Sequence, residues 1–218
     1  GVDYNILTVV TQKTAGHAAE IYNYYKEQGW KYQQYIACLD PLGEDRGKTP
    51  YALNPEQYGM FLTELFNLWY EDWKKGEQPY IRQFENYIGI LLGYQPESCE
   101  QRGSCGTQNV VEADGSVYPC DFYALDEYKL GNFNCNRLEE IDKKRKEIAF
   151  VEQSQIVAEN CKNCKFYKIC KGGCRRNKDF NAMNGEYENY FCKSYRIFFD
   201  ICLERMIQIV EIIKNQKG

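Results

Sequence analysis

The stretch that decides the fold runs from Cys99 to Cys192. Residues 99–120 read CEQRGSCGTQNVVEADGSVYPC, and residues 161–174 read CKNCKFYKICKGGC. Written as spacings, these are C-x5-C-x9-G-x4-C and C-x2-C-x5-C-x3-C, and the last cysteine follows after 17 further residues. Two cysteines in a C-x2-C pair can both turn inward on one tight loop and present two thiolates to one centre. The combined pattern therefore predicts a metal-binding or cluster-binding region.

Eight of the nine cysteines in this stretch, all except Cys135, belong to the pattern and divide into two complete sets of four ligands. Two structural zinc ions and two cubane iron-sulfur clusters both satisfy this count, and spacing alone does not choose between them. A disulfide framework is a third interpretation, because secreted domains are often rich in cysteine. The chain disfavours it, since its eleven cysteines are an odd number and its 218 residues suffice to build a core without disulfides.

The charge and hydropathy of the chain exclude several classes of protein. A net charge of -4 is opposite to the basic surface typical of nucleic-acid binding. There is no apolar run of about 18 residues and no signal-peptide pattern, so we predict no membrane span and expect a cytoplasmic protein. The sequence begins with Gly1 and runs into an apolar strand without an initiator Met, which suggests that the natural protein begins further upstream.

The first part of the chain predicts a βαβ unit. The β-branched run at 6–10, ILTVV, is typical of a buried strand. A helix follows with Thr14 as its expected N-cap and Gly29 as its stop, and strand character returns over 32–39. Such units build parallel sheets whose active groups lie at the carboxyl ends of the strands, which is here the segment 38–41.

Four further helices are predicted along the rest of the chain. Asn54-Pro55-Glu56-Gln57 is typical of an N-cap, a first-turn proline and a capping-box residue, and it opens a helix through about Trp73. A second helix covers about 81–92, and its aromatic and aliphatic stripe indicates core packing. Helical patterns also cover 138–150, which is charged and has little site content, and 196–214, which is amphipathic.

Within the first cysteine group the sequence predicts a β-hairpin. Segments 109–112 and 116–118 flank Ala113-Asp114-Gly115, and Asp-Gly between two such segments is a strong turn signal. The glycine of C-x9-G-x4-C therefore has a mechanical role. It turns the hairpin whose return strand delivers Cys120.

The cysteine pattern resembles the SPASM domain, an extension of radical S-adenosylmethionine enzymes that modify peptides. Leu130-Gly131-Asn132 and Lys171-Gly172-Gly173-Cys174-Arg175 add to the resemblance. The segment Tyr118-Pro119-Cys120-Asp121-Phe122-Tyr123 brings it closest to the anaerobic sulfatase-maturating enzymes. The resemblance covers essentially the whole chain.

This resemblance implies an α/β fold. Its first part would be the closing part of a partial (β/α) radical SAM barrel, and an α+β SPASM domain with a β-hairpin and two iron-sulfur clusters would follow. The implied boundaries are 1–78 for the barrel part, 79–98 for a helical linker and 99–218 for the SPASM domain with its C-terminal helix.

The resemblance also implies which cysteines share a cluster, because the two ligand sets interleave in the family. One auxiliary [4Fe-4S] cluster falls to Cys99, Cys105, Cys120 and Cys174. The other falls to Cys161, Cys164, Cys170 and Cys192. Each cluster then has four thiolates and no open position, so the implied role is electron transfer and structure.

A third [4Fe-4S] cluster, which cleaves S-adenosylmethionine in this family, needs a C-x3-C-x2-C loop. That spacing does not occur in this sequence. We therefore expect the chain to be the C-terminal portion of a longer enzyme that binds S-adenosylmethionine and the third cluster through upstream residues.

Asp121 is the predicted catalytic residue. It follows a cluster ligand at the end of the hairpin strand, and a carboxylate in a partly desolvated site beside an anionic cluster is suited to accept a proton. The resemblance implies that it is the general base for the target cysteine thiol or serine hydroxyl, whereas the residues alone also allow a simple turn cap. The resemblance further brings Ile36 and Leu39 close to S-adenosylmethionine or the substrate, although by sequence alone both are simply strand residues.

The residues around the last cysteines allow two interpretations. Gly172 and Gly173 lack the spacing of a phosphate loop, and we expect them to let backbone amides approach cluster sulfurs. Arg175 and Arg176 either offset the negative charge of the clusters or form a solvated pair.

The implied function, as part of a radical SAM enzyme, is oxygen-independent oxidation of a sulfatase cysteine or serine to Cα-formylglycine. The implied partners are a sulfatase polypeptide and an electron donor such as a flavodoxin or ferredoxin, with no nucleic acid and no membrane. Another SPASM peptide modification, such as thioether or carbon-carbon crosslinking, is an alternative. A non-catalytic zinc-binding or ferredoxin-like module is the alternative from a different class.

Overall fold

The computed structural model describes residue 2 and residues 4–216 of the chain. The strands are β1 Ile6–Val10, β2 Tyr32–Ala37, β3 Tyr80–Ile81, β4 Val110–Val111, β5 Ser116–Tyr118, β6 Gly131–Asn132, β7 Lys178–Asn181 and β8 Glu186–Asn189. The α-helices are α1 Ala18–Glu27, α2 Pro55–Trp73, α3 Arg82–Leu91, α4 Cys99–Arg102, α5 Leu138–Glu147, α6 Phe150–Ser154, α7 Glu159–Lys162, α8 Tyr167–Cys170 and α9 Cys192–Gln216. The fold is mixed α/β.

The first half is built on a parallel three-stranded sheet in the order β1-β2-β3. β1 pairs with β2 from Ile6 opposite Gln33 to Val10 opposite Ala37, as the predicted βαβ unit requires. β3 contributes only two residues, so it covers just the beginning of β2. Further along β2, the Gln83 side chain takes the place of a third strand and bonds both the N–H and the C=O of Tyr35.

The main core lies between this sheet and the two long helices α2 and α9. Asn54 caps α2 as predicted, because its Oδ1 accepts the Gln57 N–H at 2.9 Å. Buried aromatic rings dominate the contact: Phe66 of α2 meets Phe84 of α3 at 5.2 Å and Phe198 of α9 at 5.9 Å between ring centroids. No helix in the described part of the chain is long and apolar enough to cross a membrane.

The cysteine-rich half is made of short elements. β4, β5 and β6 form an antiparallel sheet, and β7 and β8 form a separate two-stranded ribbon. The predicted hairpin turn is present: Gly115 has a φ of +84°, and its N–H bonds the Glu112 carbonyl at 2.9 Å. The return strand β5 then leads through Pro119 to Cys120.

Three helix boundaries differ from the sequence prediction. α1 begins after His17 rather than Thr14, because the Thr14 hydroxyl accepts the Thr11 N–H in a preceding turn. The predicted helix 138–150 stops at Glu147, since Ala149 adopts a left-handed φ of +47° before α6 begins. The last helix starts four residues earlier than predicted, so Cys192 is its first residue.

An arginine network joins the loop after β2 to the segment that follows Cys174. The Arg46 guanidinium donates to both carboxylate oxygens of Asp179, at 2.6 and 2.8 Å, and to the Arg176 carbonyl at 3.0 Å. Arg176 in turn donates to the Asp40 carbonyl at 2.5 Å. This bidentate geometry fixes the cysteine-rich half against the carboxyl end of β2.

An ion pair between the exposed Lys26 and the buried Asp72 holds α1 on α2. Asp72 accepts hydrogen bonds from the Tyr22 hydroxyl at 2.8 Å and from Lys26 Nζ at 2.7 Å. Burial by itself would raise the pKa of Asp72, but the hydrogen bonds from Lys26 and Tyr22 outweigh it and hold the pKa below its usual value. The carboxylate therefore adds stability above about pH 4, and this stability is lost as the pH falls through the lowered pKa.

Replacing this carboxylate tests the ion pair. Asp72→Asn should lower the free energy of unfolding by about 1–3 kcal/mol at neutral pH, because it weakens two hydrogen bonds to a charged group. The difference from the unmodified protein should shrink in urea titrations as the pH is lowered towards about 3. Glu77→Gln is the control: Glu77 also lies near Lys26, at 3.7 Å, but it is exposed and should change stability by less than about 0.5 kcal/mol. Equal effects of the two variants would contradict this assignment.

Candidate cluster-binding site

The hairpin brings Cys120 and Asp121 to the centre of the cysteine-rich half. Cys120 is buried against Tyr123 and Phe150, and Asp121 begins a 3-10 turn immediately after it. In the described structure the Cys120 thiol donates to Asp121 Oδ1 at 3.1 Å. The general-base candidate is therefore in direct contact with one of the candidate ligands.

The first predicted ligand set comes from segments far apart in the sequence. Cys99 opens α4, Cys120 ends the hairpin, and Cys174 follows the glycines after α8. The main chain holds these positions: the Cys105 N–H donates to the Ser154 hydroxyl at 2.8 Å, and the Arg176 N–H donates to the Cys174 sulfur at 3.4 Å. Ser154 is the last residue of α6 and lies just beyond the charged helix predicted over 138–150.

The second predicted ligand set surrounds one cavity. Its four members all line that cavity: Cys161, Cys164, Cys170 and Cys192. The walls also include the rings of Phe166 and Tyr195, which belong to the main core. The backbone of Gly172 lies close enough to the Cys170 sulfur to oppose the rise in the pKa of that thiol.

Electrostatic coupling between the thiols follows the same division into two sets. Burial raises the pKa of Cys120 to about 12, with Cys105 among the further causes, and burial also raises the pKa of Cys170 to about 12, with Cys192, Cys161 and Cys164 contributing. For Cys174 the pKa is raised by burial first, and the neighbouring thiols that add to it are Cys99 and Cys105. In each case the neighbouring thiols belong to the same predicted set.

All eleven cysteines are free thiols, and the chemistry of the two sets fits an iron-sulfur cluster. Among the described residues, no three His, Cys, Asp or Glu side chains converge on a point where one metal ion would bind. In a [4Fe-4S] cluster each thiolate binds a different iron, so the sulfurs lie further apart than around one zinc ion. The arrangement is therefore compatible with clusters, and the assignment of each ligand stays a prediction.

Two positively charged side chains lie near the sulfurs, Lys178 and Arg196. The sequence analysis did not single them out. Lys178 lies between the two sets: it is close to Cys161 and Cys105, and its Nζ donates to the Ser154 carbonyl at 3.0 Å. Burial lowers the pKa of Lys178. Arg196 of α9 lies near Cys192 and Cys164 of the second set, and the charge of Cys192 raises the pKa of Arg196.

The two residues of the Arg175-Arg176 pair differ in burial. Arg175 is half-buried: its guanidinium carbon lies 4.5 Å from the centre of the Phe150 ring, and it donates to the Phe150 carbonyl at 2.8 Å. Arg176 is buried and belongs to the network at Asp40, so the solvated alternative is wrong for this residue. Burial raises the pKa of the Cys105 thiol, and the nearby charge of Arg175 opposes that rise.

A cavity of about 480 Å³ opens beside the first ligand set. Its lining includes the predicted catalytic residue and both predicted cofactor-binding residues: Asp121, Ile36 and Leu39. Cys99 and Cys174 line the same cavity. Predicted positions from two separate parts of the sequence, 36–39 and 121, therefore meet at the carboxyl end of β2, beside two candidate ligands.

Glu100 is a further residue of this cavity that the sequence analysis missed. It follows Cys99 directly, and its carboxylate accepts the Tyr195 hydroxyl at 2.5 Å. Tyr195 also lines the cavity of the second ligand set, so this hydrogen bond connects the two sites. No local sequence signal marks the pair, because the two residues are 95 positions apart.

Comparison with known proteins agrees with this arrangement. Residues 99–165 match SPASM, described as an iron-sulfur cluster-binding domain. Over 98% of its length the chain is 46% identical to the cysteine-type anaerobic sulfatase-maturating enzyme of Clostridium perfringens (strain 13 / Type A), and over 97% it is 42% identical to that of Clostridium novyi (strain NT). The serine-type enzyme of Bacteroides thetaiotaomicron is 29% identical over the whole chain.

Over nearly its whole length the chain is similar to anaerobic sulfatase-maturating enzymes. Its fold matches the solved structure of native anSMEcpe with bound AdoMet and Cp18Cys peptide, with a TM-score of 0.90 and 44% identity over 97% of this chain. The family resemblance predicted from the cysteine pattern is thus confirmed, as is the mixed α/β fold. The chain spans 58% of the length of the Clostridium perfringens relative and 59% of that solved chain.

The two glycines before Cys174 allow a matched test of local geometry. Both have positive φ, +83° for Gly172 and +71° for Gly173. A Cβ on Gly172 would meet open space, whereas one on Gly173 would collide with the Asn189 amide, which itself bonds the Gly172 carbonyl at 3.0 Å. Gly172→Ala should therefore cost only the backbone strain, about 1–2 kcal/mol, and Gly173→Ala should cost more. Thermal unfolding of the two variants measures the difference. An equal or smaller loss for Gly173→Ala would contradict the packing described here.

Proposed function

We propose that the chain is the C-terminal portion of a radical S-adenosylmethionine enzyme that oxidises a sulfatase cysteine or serine to Cα-formylglycine without oxygen. The observation that carries this proposal is the shared cavity: Asp121, Leu39 and Ile36 line one space together with two candidate cluster ligands. Support also comes from the relatives, which are cysteine-type and serine-type sulfatase-maturating enzymes. In anSMEcpe, AdoMet and a peptide are bound together.

The proposed ligands are the two sets of four cysteines that the family resemblance implies. Cys99, Cys105, Cys120 and Cys174 would hold one auxiliary [4Fe-4S] cluster, and Cys161, Cys164, Cys170 and Cys192 the other. When bound, such clusters supply one-electron redox capacity. The protein contributes the burial of the sulfurs, the backbone of Gly172, the amide N–H of Arg176, and the charges of Arg175, Lys178 and Arg196, which favour thiolates.

Asp121 is proposed to accept the proton from the target thiol or hydroxyl. Its Oδ1 accepts a hydrogen bond from the Cys120 thiol at 3.1 Å. A cysteine that binds a metal is a thiolate and has no such proton to donate. Binding of the cluster would therefore free that oxygen as an acceptor on the cavity side, where a polypeptide side chain can reach it.

The rest of the proposal concerns the architecture. Residues 1–78 would be the closing part of a partial (β/α) barrel, 79–98 a helical linker joined to the sheet through β3, and 99–218 the SPASM domain. Ile36 and Leu39 would approach S-adenosylmethionine or the substrate. The third cluster would be bound by the longer protein, which we place in the cytoplasm with a flavodoxin or ferredoxin as electron donor.

Iron analysis tests the two ligand sets. This chain, purified anaerobically, should contain about eight irons and eight sulfides and should be brown. Cys164→Ala should lower the iron content by about half, because it removes one ligand of one set. Cys135→Ala is the matched control: Cys135 is exposed and outside both sets, so the iron content should not change. Two zinc ions in a colourless protein would favour the non-catalytic zinc module and end the cluster assignment.

The longer protein tests Asp121. Asp121→Asn should keep its clusters and its cleavage of S-adenosylmethionine but lose formylglycine formation on a sulfatase peptide by about 100-fold or more, since the amide cannot accept the proton. Mass spectrometry of the peptide detects the aldehyde. Asp126→Asn is the control, because that exposed carboxylate lies five residues further on and outside the cavity lining. Undiminished aldehyde from Asp121→Asn would sink the assignment.

A further inference from the structure

A further cavity adjoins the one that Asp121 lines, and the two cavities share Gln101 and Arg102 as lining residues. It has a volume of about 520 Å³, and it is formed by the ends of α3, α4 and α8. Three of its lining side chains are cations, Arg102, Lys168 and Lys171, and none is a carboxylate. The lining of this cavity is positively charged, although the whole chain has a net charge of -4.

The backbone brings these cations together. α4 ends at Gly103 and α8 ends at Lys171, and both residues adopt a left-handed φ, +72° and +56°. The two ends abut so closely that a Cβ on Gly103 would lie 2.6 Å from the Cβ of Lys171. Arg102 and Lys171 are therefore held next to each other although they are 69 positions apart in the sequence.

The lysines between the cysteines of the second set differ in their partners. The run CKNCKFYKICK has a lysine at every third position: 162, 165, 168 and 171. Lys162 pairs with Glu159, and Lys165 pairs with Asp200 at 2.6 Å. Lys168 and Lys171 instead line the cavity that contains no carboxylate. Their charge is available to an incoming partner.

The position of this surface points to the kind of partner. Arg102 lies between Cys99 and Cys105 of the first set, and Lys168 and Lys171 flank Cys170 of the second. A protein bound here is close to both sets at once. Positive side chains around a site of electron transfer attract an acidic partner and speed its association without a large apolar contact.

We propose that Arg102, Lys168 and Lys171 form the docking surface for the acidic face of a small electron-transfer protein of the flavodoxin or ferredoxin class. This inference rests on the proposed function for its two clusters, but it adds the place and the chemistry of docking. The occupant is a folded acidic protein rather than a small anion, because the three cations come from the ends of two helices, α4 and α8, around a cavity of about 520 Å³.

Charge reversal measures the docking directly. Calorimetric titration of the cluster-loaded protein with a purified flavodoxin, and in parallel with a ferredoxin, gives the Kd at low and high salt. The pair Lys168→Glu/Lys171→Glu should weaken binding at least about tenfold at low ionic strength, and the difference from the unmodified protein should vanish in about 0.5 M salt. The substitution Arg102→Glu reverses the cation that α4 contributes, and it should also weaken binding.

A matched pair on another face is the control. Lys143 and Lys146 are exposed on α5 with the same i, i+3 spacing, so Lys143→Glu/Lys146→Glu changes the net charge equally. Binding unchanged in this pair, with iron content equal in all variants, supports the proposal. Equal weakening by both pairs, no weakening by either cavity variant, or no binding of either donor to the unmodified protein would overturn it. Formylglycine formation is assayed separately, so failure of the proposed function is distinguishable from failure of the docking surface.

Discussion

The region around the hairpin has too little apolar surface to be stable through burial alone. Outside the main core the buried apolar residues form two small groups, one of Val117, Leu130 and Ile141 and one of Cys120, Tyr123 and Phe150. Clusters of this size contribute only a few kcal/mol against the ordering of a long, loop-rich segment. Ligand bonds to cysteine can supply what is lacking, because the free energy of metal binding is then free energy of folding.

The two ligand sets are anchored differently in the protein. The second set adjoins Phe166, Ile169 and Phe191, which belong to the main core together with α2 and α9. The first set lies over the short hairpin sheet, which lacks such support. Cys174 links the two sets. It follows α8, the helix that carries Cys170, but the thiols that contribute to its raised pKa are Cys99 and Cys105. With the proposed interleaved ligand sets, bound clusters would transfer the rigidity of the core to the segment that carries Asp121.

The sequence predicts the regular elements well where local chemistry determines them. Asn54 capped its helix, Asp114-Gly115 turned the hairpin, and ILTVV formed a strand, because each depends on residues within a few positions. The boundary at Ala149 was missed because its left-handed backbone has no glycine or asparagine to mark it. Glu100, Tyr195, Ser154 and Lys178 were missed for another reason. Each acquires its role from partners that only the tertiary fold brings close, and a single sequence contains no record of such distances.

A sequence motif alone does not predict the cavity around Asp121. Asp121 is positioned by its neighbour Cys120, but the cavity in which it acts is closed by β2, whose carboxyl end is held in place by the contact of Arg176 with Asp40. Arg176 lies two residues after Cys174, and its N–H donates to the Cys174 sulfur. The position of Cys174, a proposed ligand, therefore also affects the cavity wall that contains Leu39. A change in the position of Cys174 would therefore move both sides of the cavity. The candidate ligands and the cavity lined by Asp121 are therefore structurally coupled in this fold. The positions of the cysteines would determine how a substrate could approach Asp121.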